Sequence, residues 1–390
     1  MIAKLALKNI LGAGFRTWLN IFILSLAYFT IISIQGLFVG WNEDAAREII
    51  QWHIADGQYW QSGFDPYDPF TLEDSHAQIP SELSELVETG DAVPILLTPA
   101  SIYPQGRMQS ILLKGIDPAQ TLLKIPTDKL DAEADELVAI IGSRMAKSAE
   151  LKEGDYVTLR WRDANGALDA IDVKIGHIFE STVLAVNANI MWIPLSRMQM
   201  MLELENEATK IVMKNAETVT EFDGWTFKDE AFLLQDLTNM IAAKTVGSSI
   251  MYGLLLFMAG IAIFDTQILS LFRRRKEMGT MMALGMTRQK IIKLFTLEGV
   301  FHAVLAIFVG AIYGIPLLNN FQKVGMRFGA DMDDYGISGL SDALYPQYGW
   351  KLVIGTIILV LITVTIVSYL PTRKISKLKP TDALRGKMTK

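Results

Sequence analysis

Four long apolar stretches constrain this chain more than any other feature of its sequence. They lie at 18–40, 246–272, 295–318 and 352–370, in a chain in which 51% of the residues are apolar. Each offers close to the about 20 apolar residues that a helix needs to cross about 30 Å of hydrocarbon. We therefore predict a polytopic α-helical membrane protein with four transmembrane helices. The first stretch exceeds the length of a signal-peptide core and no small-x-small cleavage pattern follows it, so we expect a retained anchor.

The basic residues predict how these helices are oriented. The flanks 1–17, 273–294 and 371–390 hold 17 lysines and arginines but only two acidic residues, Glu277 and Asp382, whereas the rest of the chain has 19 basic and 40 acidic residues. Lysine and arginine near span ends stay on the cytoplasmic side of a membrane. Both termini and the link between the second and third helices are therefore predicted to be cytoplasmic.

This orientation gives a complete domain organisation. The predicted segments are a cytoplasmic interfacial helix (1–17), the first span (18–40), a large extracytoplasmic domain with helical stalks (41–245), the second span (246–272), a cytoplasmic helical link (273–294), the third span (295–318), an outer loop (319–351), the fourth span (352–370) and a cytoplasmic tail (371–390). The outer loop carries Asp331, Asp333, Asp334 and Asp342, which we interpret as a solvated acidic loop because the spacing of a calcium-binding EF-hand is absent.

The region 41–245 has the pattern of a mixed α/β domain. Alternating apolar residues at 156–161 and 170–175 flank Asn165-Gly166, which predicts a β-hairpin. Further strands are predicted around 93–97, 109–115, 138–141, 190–193 and 209–214. Apolar residues three to four positions apart before the second span favour one continuous helix over 230–272, long enough for part of it to stand outside the membrane as a stalk.

Several classes of chemistry are disfavoured by what these 390 residues lack. Cysteine is absent, the four histidines show no zinc-site spacing, and neither a P-loop nor a GxSxG nucleophile motif occurs. We therefore predict a non-catalytic chain without a metal or cofactor of its own. The net charge of −6 argues against nucleic acid as a partner.

Two sets of residues within the spans are candidates for function. The ionisable residues Asp265, Glu298 and His302 are costly in lipid, so we predict intramembrane polar contacts, in packing or an interface rather than in a proton relay. Bulky apolar residues of the first two spans either serve packing or bilayer contact or line a groove between two chains: Phe22, Phe29, Phe38, Met251, Leu255 and Met258.

The link between the second and third spans carries the most specific pattern in the chain. A short helix is predicted there, followed by a break at Gly285 and a new helix capped by Thr287. The stretch 272–299 closely resembles the cytoplasmic signature of the MacB/FtsX superfamily of ABC transporter permeases, in residues that include Glu277, Gly279, Gly285 and Glu298. The helix at 6–11 and the ending at 370–385 are similar to the same family, and the overall layout is closest to its lipoprotein-releasing (LolC/LolE-like) permeases.

The resemblance implies a function and a set of partners. It implies a permease subunit of the bacterial inner membrane that converts the ATP-driven motion of a separate ABC ATPase dimer into movement of its periplasmic domain. Its further partners would be a second permease chain, membrane lipids and a lipoprotein or periplasmic carrier, and ATP and Mg would be bound by the ATPase. The residues implied to contact the ATPase are Glu277, Met278, Gly279, Met281, Ala283, Leu284, Gly285 and Arg288.

The implied work is the release or export of lipoproteins or other hydrophobic or envelope cargo. One alternative is a transmembrane signal transducer that regulates a periplasmic partner such as a cell-wall hydrolase. Another, a membrane-anchored enzyme or receptor with no motor, is disfavoured because no catalytic set of residues is found. The alternative for the link itself is a solvated basic loop.

Overall fold

The computed structural model describes residues 2–11, 14–131, 136–215, 221–326 and 344–375. Its α-helices are α1 (Ile2–Leu11), α2 (Phe15–Ile49), α3 (Ser81–Glu88), α4 (Ser143–Ala149), α5 (Leu184–Asn187), α6 (Leu195–Leu202), α7 (Glu230–Leu233), α8 (Gln235–Arg273), α9 (Arg275–Ala283), α10 (Arg288–Val324) and α11 (Trp350–Ile375). Its strands are β1 (Gly57–Gln61), β2 (Ala77–Gln78), β3 (Ala92–Ile102), β4 (Gln109–Ile116), β5 (Leu137–Gly142), β6 (Tyr156–Arg162), β7 (Leu168–Phe179), β8 (Ile190–Pro194), β9 (Glu207–Ala208), β10 (Lys210–Met213) and β11 (Trp225–Asp229).

The four apolar stretches form four helices that are long and apolar enough to cross a membrane. These helices cover Thr17–Ile54, Gln235–Arg273, Arg288–Val324 and Trp350–Arg373. With a mixed α/β region between the first and second of them, they confirm the predicted fold class. The chain divides into two units, one formed by 1–42, 241–328 and 342–390, and the other by 43–240 and 329–341. We call them the membrane unit and the α/β unit.

The core of the membrane unit is formed by α2, α10 and α11, with α1 packed on α10. Ile21 and Ile31 of α2, Ala303 and Ala306 of α10 and Val360 of α11 are all buried in one apolar cluster. Small residues let these helices approach closely. Gly299 of α10 shows this most clearly, because a Cβ there would lie 2.6 Å from the Cβ of Ser368 in α11.

Helix α8 is covered far less than the other membrane helices. Of the most apolar 18-residue stretch of α8, only 6% is buried, whereas the corresponding share for the first span is 39%. Its exposed apolar side chains recur every three to four residues and so form one stripe along the helix. The members of this stripe are Ile250, Leu254, Phe257, Met258, Ile261, Leu269 and Phe272. One face of α8 therefore has no covering from its own chain among the described residues.

Two predictions about chain continuity are corrected or left open. The expected single helix over 230–272 is wrong, since Leu234 separates α7 from α8. Asp229 is the N-cap residue of α7, because its side chain accepts a hydrogen bond from the Phe232 backbone N–H. Most of the outer loop, with Asp331, Asp333, Asp334 and Asp342, and the tail from 376 to 390 lie outside the described residues.

The α/β unit is built around a nine-stranded sheet. Its strand order is β11-β1-β10-β3-β4-β8-β5-β7-β6, and β6 also pairs with β3, so the six strands from β3 to β6 close into a ring. Inside the ring lie apolar residues such as Leu96, Leu113, Leu159, Val173 and Met191, and α4 and α6 pack on the same cluster. A second cluster covers the outer surface of the ring and is centred on Trp192.

The predicted β-hairpin and strands are confirmed. Strands β6 and β7 pair antiparallel from Tyr156↔Lys174 to Arg162↔Leu168. At the turn, the Asp163 carboxylate accepts hydrogen bonds from the backbone N–H groups of Asn165 and Ala167. Gly166 has a φ of 81°, a conformation that glycine adopts without strain. The five other predicted strands correspond to β3, β4, β5, β8 and β10.

Two buried lysines were not predicted: Lys114 lies on the ring strand β4, and Lys210 lies on β10, which pairs with β3 outside the ring. Lys114 and Lys210 are each 3% exposed. The Lys114 Nζ donates to the Ala185 carbonyl at 2.9 Å and lies 5.0 Å from the centre of the Trp192 ring. The Lys210 Nζ lies 3.4 Å from the Gln58 Oε1. Burial lowers the pKa of Lys114 to about 7. Burial, together with the charge of Lys114, holds the pKa of Lys210 well below its ordinary value.

This burial predicts that stability rises with pH. Between pH 7 and 10 the unfolded chain holds a proton on Lys114 that the folded chain releases, so the free energy of unfolding increases, by up to about 1.4 kcal/mol per pH unit. Lys114→Met is expected to be more stable than the wild type at pH 7 and to lose this part of the slope, while Lys210 keeps its own part. Thermal unfolding of the full chain at several pH values measures both effects. Lys147→Met, at an exposed lysine of α4, is the control, and an equal loss of slope in that variant would contradict the assignment.

Candidate functional site

The link between α8 and α10 folds into a short helical elbow, Arg274 to Thr287. Arg274 leaves helical geometry (φ −96°, ψ 14°) and so separates α8 from α9. Helix α9 ends at Ala283, Gly285 has a φ of 91°, and Thr287 is the N-cap residue of α10. The predicted short helix, glycine break and helix start are therefore confirmed, although the Thr287 side chain makes no capping hydrogen bond.

One face of the elbow is held against α10 by an apolar cluster. Met278 of α9 and Leu271 at the end of α8 are buried against Ile291 and Phe295 of α10. Met281, Met282 and Met286 are half-buried around them. The elbow therefore shares one apolar cluster with α8 and α10, and a displacement of the elbow would disturb the packing of both helices.

A partly buried ion pair ties the start of the elbow to the first third of α10. The Arg274 Nη1 donates to both Glu298 carboxylate oxygens, at 3.1 and 2.9 Å, and its Nε donates to Glu277 at 2.7 Å. Asn9 of α1 donates to the same Glu298 carboxylate at 2.7 Å. Burial opposes the charge of Arg274, but the two carboxylates outweigh that effect and raise its pKa above the ordinary value. Three separate segments thus meet at Glu298, whose side chain is 7% exposed.

The residues predicted to contact an ATPase divide into two groups in this structure. Met278 and Gly279 are buried and Met281 is half-buried, so these three support the elbow from within. The exposed members are Glu277, Ala283, Leu284, Gly285 and Arg288. Leu284 is 84% exposed, the most solvent-accessible of the large apolar side chains in the membrane unit. An apolar side chain displayed in this way at the tip of an ordered turn is suited to insertion into a partner.

The three predicted intramembrane polar residues do not form one group. The His302 Nδ1 lies 2.6 Å from the backbone carbonyl of Glu298, one turn earlier, so the two side chains do not pair with each other. Glu298 instead joins the ion pair described above. Asp265 is exposed and lies within the apolar stripe of α8, between Ile261 and Leu269.

The predicted groove residues also lie in separate places within this chain. Phe22 and Phe29 of α2 both contact the Tyr313 ring of α10, at centroid distances of 6.3 and 5.7 Å. Phe38 packs on Trp41. On α8, Met251 and Met258 are exposed and Leu255 is half-buried. Phe38 lines a cavity between α2 and α8, but Met251, Leu255 and Met258 do not.

Arg274 and Asn9 belong to the site but were not among the predicted site residues. A signal for Arg274 was present, because a glutamate inside an apolar helix requires a nearby cation and four consecutive basic residues precede Glu277. Nothing in the sequence marked Asn9. Within the described ranges, no group of three or more His, Asp or Glu residues could hold a metal ion.

Comparison with known proteins relates this architecture to one kind of membrane protein. The family model of the FtsX-like permease C-terminal domain matches residues 249–380, which include the elbow. An uncharacterized ABC transporter permease of Methanocaldococcus jannaschii is 30% identical over 171 residues, 41% of this chain and 39% of that protein. The uncharacterized ABC transporter permease YknZ of Bacillus subtilis is 25% identical over 46% of this chain and 40% of that protein.

A third relative and one solved structure extend the comparison. The macrolide export ATP-binding/permease protein MacB of Agrobacterium fabrum is 29% identical over 38% of this chain and 20% of that protein. The crystal structure of the extracellular domain of YknZ, a noncanonic ABC-type transporter from Gram-positive bacteria, aligns with 47% of this chain at 16% identity and a TM-score of 0.25, covering 94% of that domain. The chain spans less than half the length of these curated relatives. The family match over residues 249–380 and these relatives support a MacB/FtsX-superfamily ABC transporter permease.

Proposed function

We propose that this chain is the membrane subunit of an ABC transporter in the inner membrane of a bacterium, with both termini and the elbow on the cytoplasmic side. In this proposal a separate ABC ATPase dimer binds the elbow, and nucleotide-driven closure of the ATPase displaces it. The displacement passes along α8 to the α/β unit on the periplasmic side. The two nucleotide states must contact the elbow with different free energies for this coupling to occur.

The observation that carries the proposal is the construction of the elbow. It exposes an apolar tip, Leu284, while its opposite face is joined to α10 by the Arg274–Glu298 ion pair and by Met278. A solvated basic loop would need neither the buried pair nor the apolar cluster. This arrangement supports a binding site for a partner on the exposed side of the elbow, while the contacts on the other side keep α9 attached to α10.

The exposed stripe of α8 supports the presence of a second permease chain that packs against it. An uncovered apolar helix face can be covered by lipid, but Asp265 lies within this stripe and an ionised carboxylate is costly there. A protein partner that supplies a polar or cationic group would remove that cost. We propose that the partner is a second permease chain, identical or related, and that the groove residues of α2 and α8 would line the space between the two chains.

ATP hydrolysis is proposed to occur in a different chain. The MacB relatives have ATP-binding in their names as well as permease, whereas these 390 residues contain no P-loop. ATP and Mg would therefore be bound by the partner, and this chain would be a non-catalytic subunit. Its own contribution would be positioning and the transmission of motion.

The proposed cargo is a lipoprotein or another hydrophobic or envelope substrate, with a periplasmic carrier as a further partner. The support is chemical, since Met251 and Met258 offer flexible apolar surface at the membrane. The named MacB relatives are described as macrolide exporters, a hydrophobic cargo of another kind. A transducer that regulates a periplasmic hydrolase is the second candidate, and the elbow serves it equally well. Reconstitution with ATP separates the two, because only a transporter discharges a bound fluorescent lipoprotein or macrolide.

The first test replaces the exposed tip of the elbow. Leu284→Asp is expected to lower the amount of ABC ATPase that co-purifies with the full chain by about tenfold or more, because a buried interface anchor is lost. The fold should be unaffected, since the side chain is 84% exposed. Quantitative mass spectrometry of the purified complex measures the ratio of the two subunits.

Leu184→Asp is the matched control, because Leu184 is an exposed leucine of the α/β unit. This variant should keep the wild-type subunit ratio. Equal recovery of the ATPase with Leu284→Asp, or a wild-type chain that is purified without any ABC ATPase, would contradict the proposal.

A further inference from the structure

A large cavity lies in the membrane unit beside the elbow. Its volume is about 700 Å³ and it opens between α1, α2, α8, α10 and α11. We propose that this cavity binds the headgroup of an anionic phospholipid, with the acyl chains extending along the membrane helices. The site rests on the proposed cytoplasmic position of the elbow, but not on the presence of an ATPase.

The charges that line the cavity favour an anion. Three cations face it, Lys8, Arg273 and Arg274, against the two carboxylates of Glu277 and Glu298, so one positive charge is in excess. Arg274 is already bound to both carboxylates. Among the described residues, Lys8 and Arg273 make no salt bridge, and both are exposed. The two cations that remain free to bind a phosphate are therefore on different helices, at the mouth of one cavity.

The other lining residues match the two parts of a lipid. Asn20, Gln267 and Ser270 provide hydrogen-bonding groups, whereas Leu24, Ile263 and Val364 provide an apolar wall. Polar groups at the level of a bilayer need partners other than hydrocarbon. A phosphodiester with its glycerol esters offers acceptors for such groups, and acyl chains fit the apolar wall.

The position of the cavity favours a lipid over a soluble phosphate. Arg273 is the last residue of α8 and Lys8 lies on the short helix α1, which precedes the first span. Both side chains are thus near the height where headgroups lie. Basic pockets between transmembrane helices on the cytoplasmic side are suited to anionic headgroups. A soluble anion would not make use of the apolar wall.

The experiment uses the full chain, delipidated in detergent and returned to nanodiscs of phosphatidylcholine with a minor fraction of phosphatidylglycerol. Native mass spectrometry counts the lipids that remain bound. We expect the wild type to retain phosphatidylglycerol in preference to phosphatidylcholine. Each of Lys8→Gln and Arg273→Gln should weaken that retention about fivefold, as expected for one cation near an anionic headgroup.

The charge-matched control is the double variant Lys4→Gln/Lys276→Gln, which removes two exposed cations that do not line the cavity. It should retain phosphatidylglycerol like the wild type. Equal losses in the control and in Lys8→Gln/Arg273→Gln would overturn the proposal, as would equal retention of the two lipids. Displacement of the lipid by inorganic phosphate would identify a site for soluble anions instead and would also overturn it.

A second measurement avoids variants altogether. Photoactivatable phosphatidylglycerol, cross-linked to the wild-type chain in nanodiscs, should modify peptides of α1 and of the end of α8. Adducts confined to other helices would contradict the assigned site even if all the variants were misfolded.

Discussion

Arg274→Ala is expected to lower the free energy of unfolding by about 3–5 kcal/mol, the range measured when one partner of a buried ion pair is removed. The substitution leaves the Glu298 carboxylate buried, with only Asn9 as a hydrogen-bond donor among its described side-chain contacts. It also removes the guanidinium from the Phe295 ring, 4.9 Å away. Thermal unfolding of the detergent-solubilised chain measures the loss, and trypsin cleavage within the elbow should accelerate in parallel.

The double variant Arg274→Met/Glu298→Leu removes both charges, whereas Arg274→Ala leaves the buried Glu298 carboxylate without its cation. Comparing the two shows which loss lowers the stability. Apolar residues of similar size often replace a buried pair at little cost, so this variant should recover most of the stability while Asn9 is left without its acceptor. Lys214→Ala is the surface control, because Lys214 pairs with Asp91 at 2.9 Å with both side chains largely exposed. That change should cost far less than Arg274→Ala, because water screens an exposed ion pair. A similar loss in Arg274→Ala and Lys214→Ala would mean that the elbow pair contributes no more than a surface contact.

The second large effect is expected at the contact between α10 and α11. Gly299→Ala adds one methyl group, which would overlap the Ser368 Oγ and lie 2.6 Å from its Cβ. Since the β-carbon of Ser368 cannot rotate away, the two helices must separate, at a cost of about 1–3 kcal/mol typical of overpacking. Thermal unfolding and ATPase co-purification should both decline, because Glu298 is the neighbouring residue.

Gly355→Ala is the matched change, since Gly355 is also helical and has no atom within 4 Å of the added position. Alanine is a better helix former than glycine by up to about 1 kcal/mol, so this variant should be slightly stabilised. The two glycines thus predict shifts of opposite sign for the same substitution. A stabilised Gly299→Ala would show that the close approach of α10 and α11 is not required.

The elbow illustrates what could be predicted from the sequence. Its helix, glycine break and new helix start depend on local preferences of the backbone, and the order of residues around Gly285 and Thr287 expresses these preferences directly. The same holds for the hairpin at Asn165-Gly166, where the turn residues and the alternating pattern lie within 20 positions. The membrane helices were predictable because the bilayer imposes a length and a polarity on each one separately.

Other features of the site required knowledge of which segments meet. Glu298 and Arg274 are 24 residues apart, and Asn9 is 289 residues from Glu298. Glu298 and His302 lie four residues apart in α10, yet the His302 ring contacts the Glu298 backbone carbonyl and not its side chain. Phe22 and Phe29 were predicted as possible groove residues, but both contact the Tyr313 ring of α10.

The sequence by itself determined the number of membrane helices, the α/β character of the region between the first two, and the elbow, because each depends on a pattern of neighbouring residues. Only the tertiary structure decided that β3 pairs with β6 to close a ring, that Lys114 and Lys210 are buried, and that Lys8 and Arg273 face one cavity. These features arise from contacts between residues far apart in the chain. Such contacts depend on how all the elements pack together, and no local pattern records them.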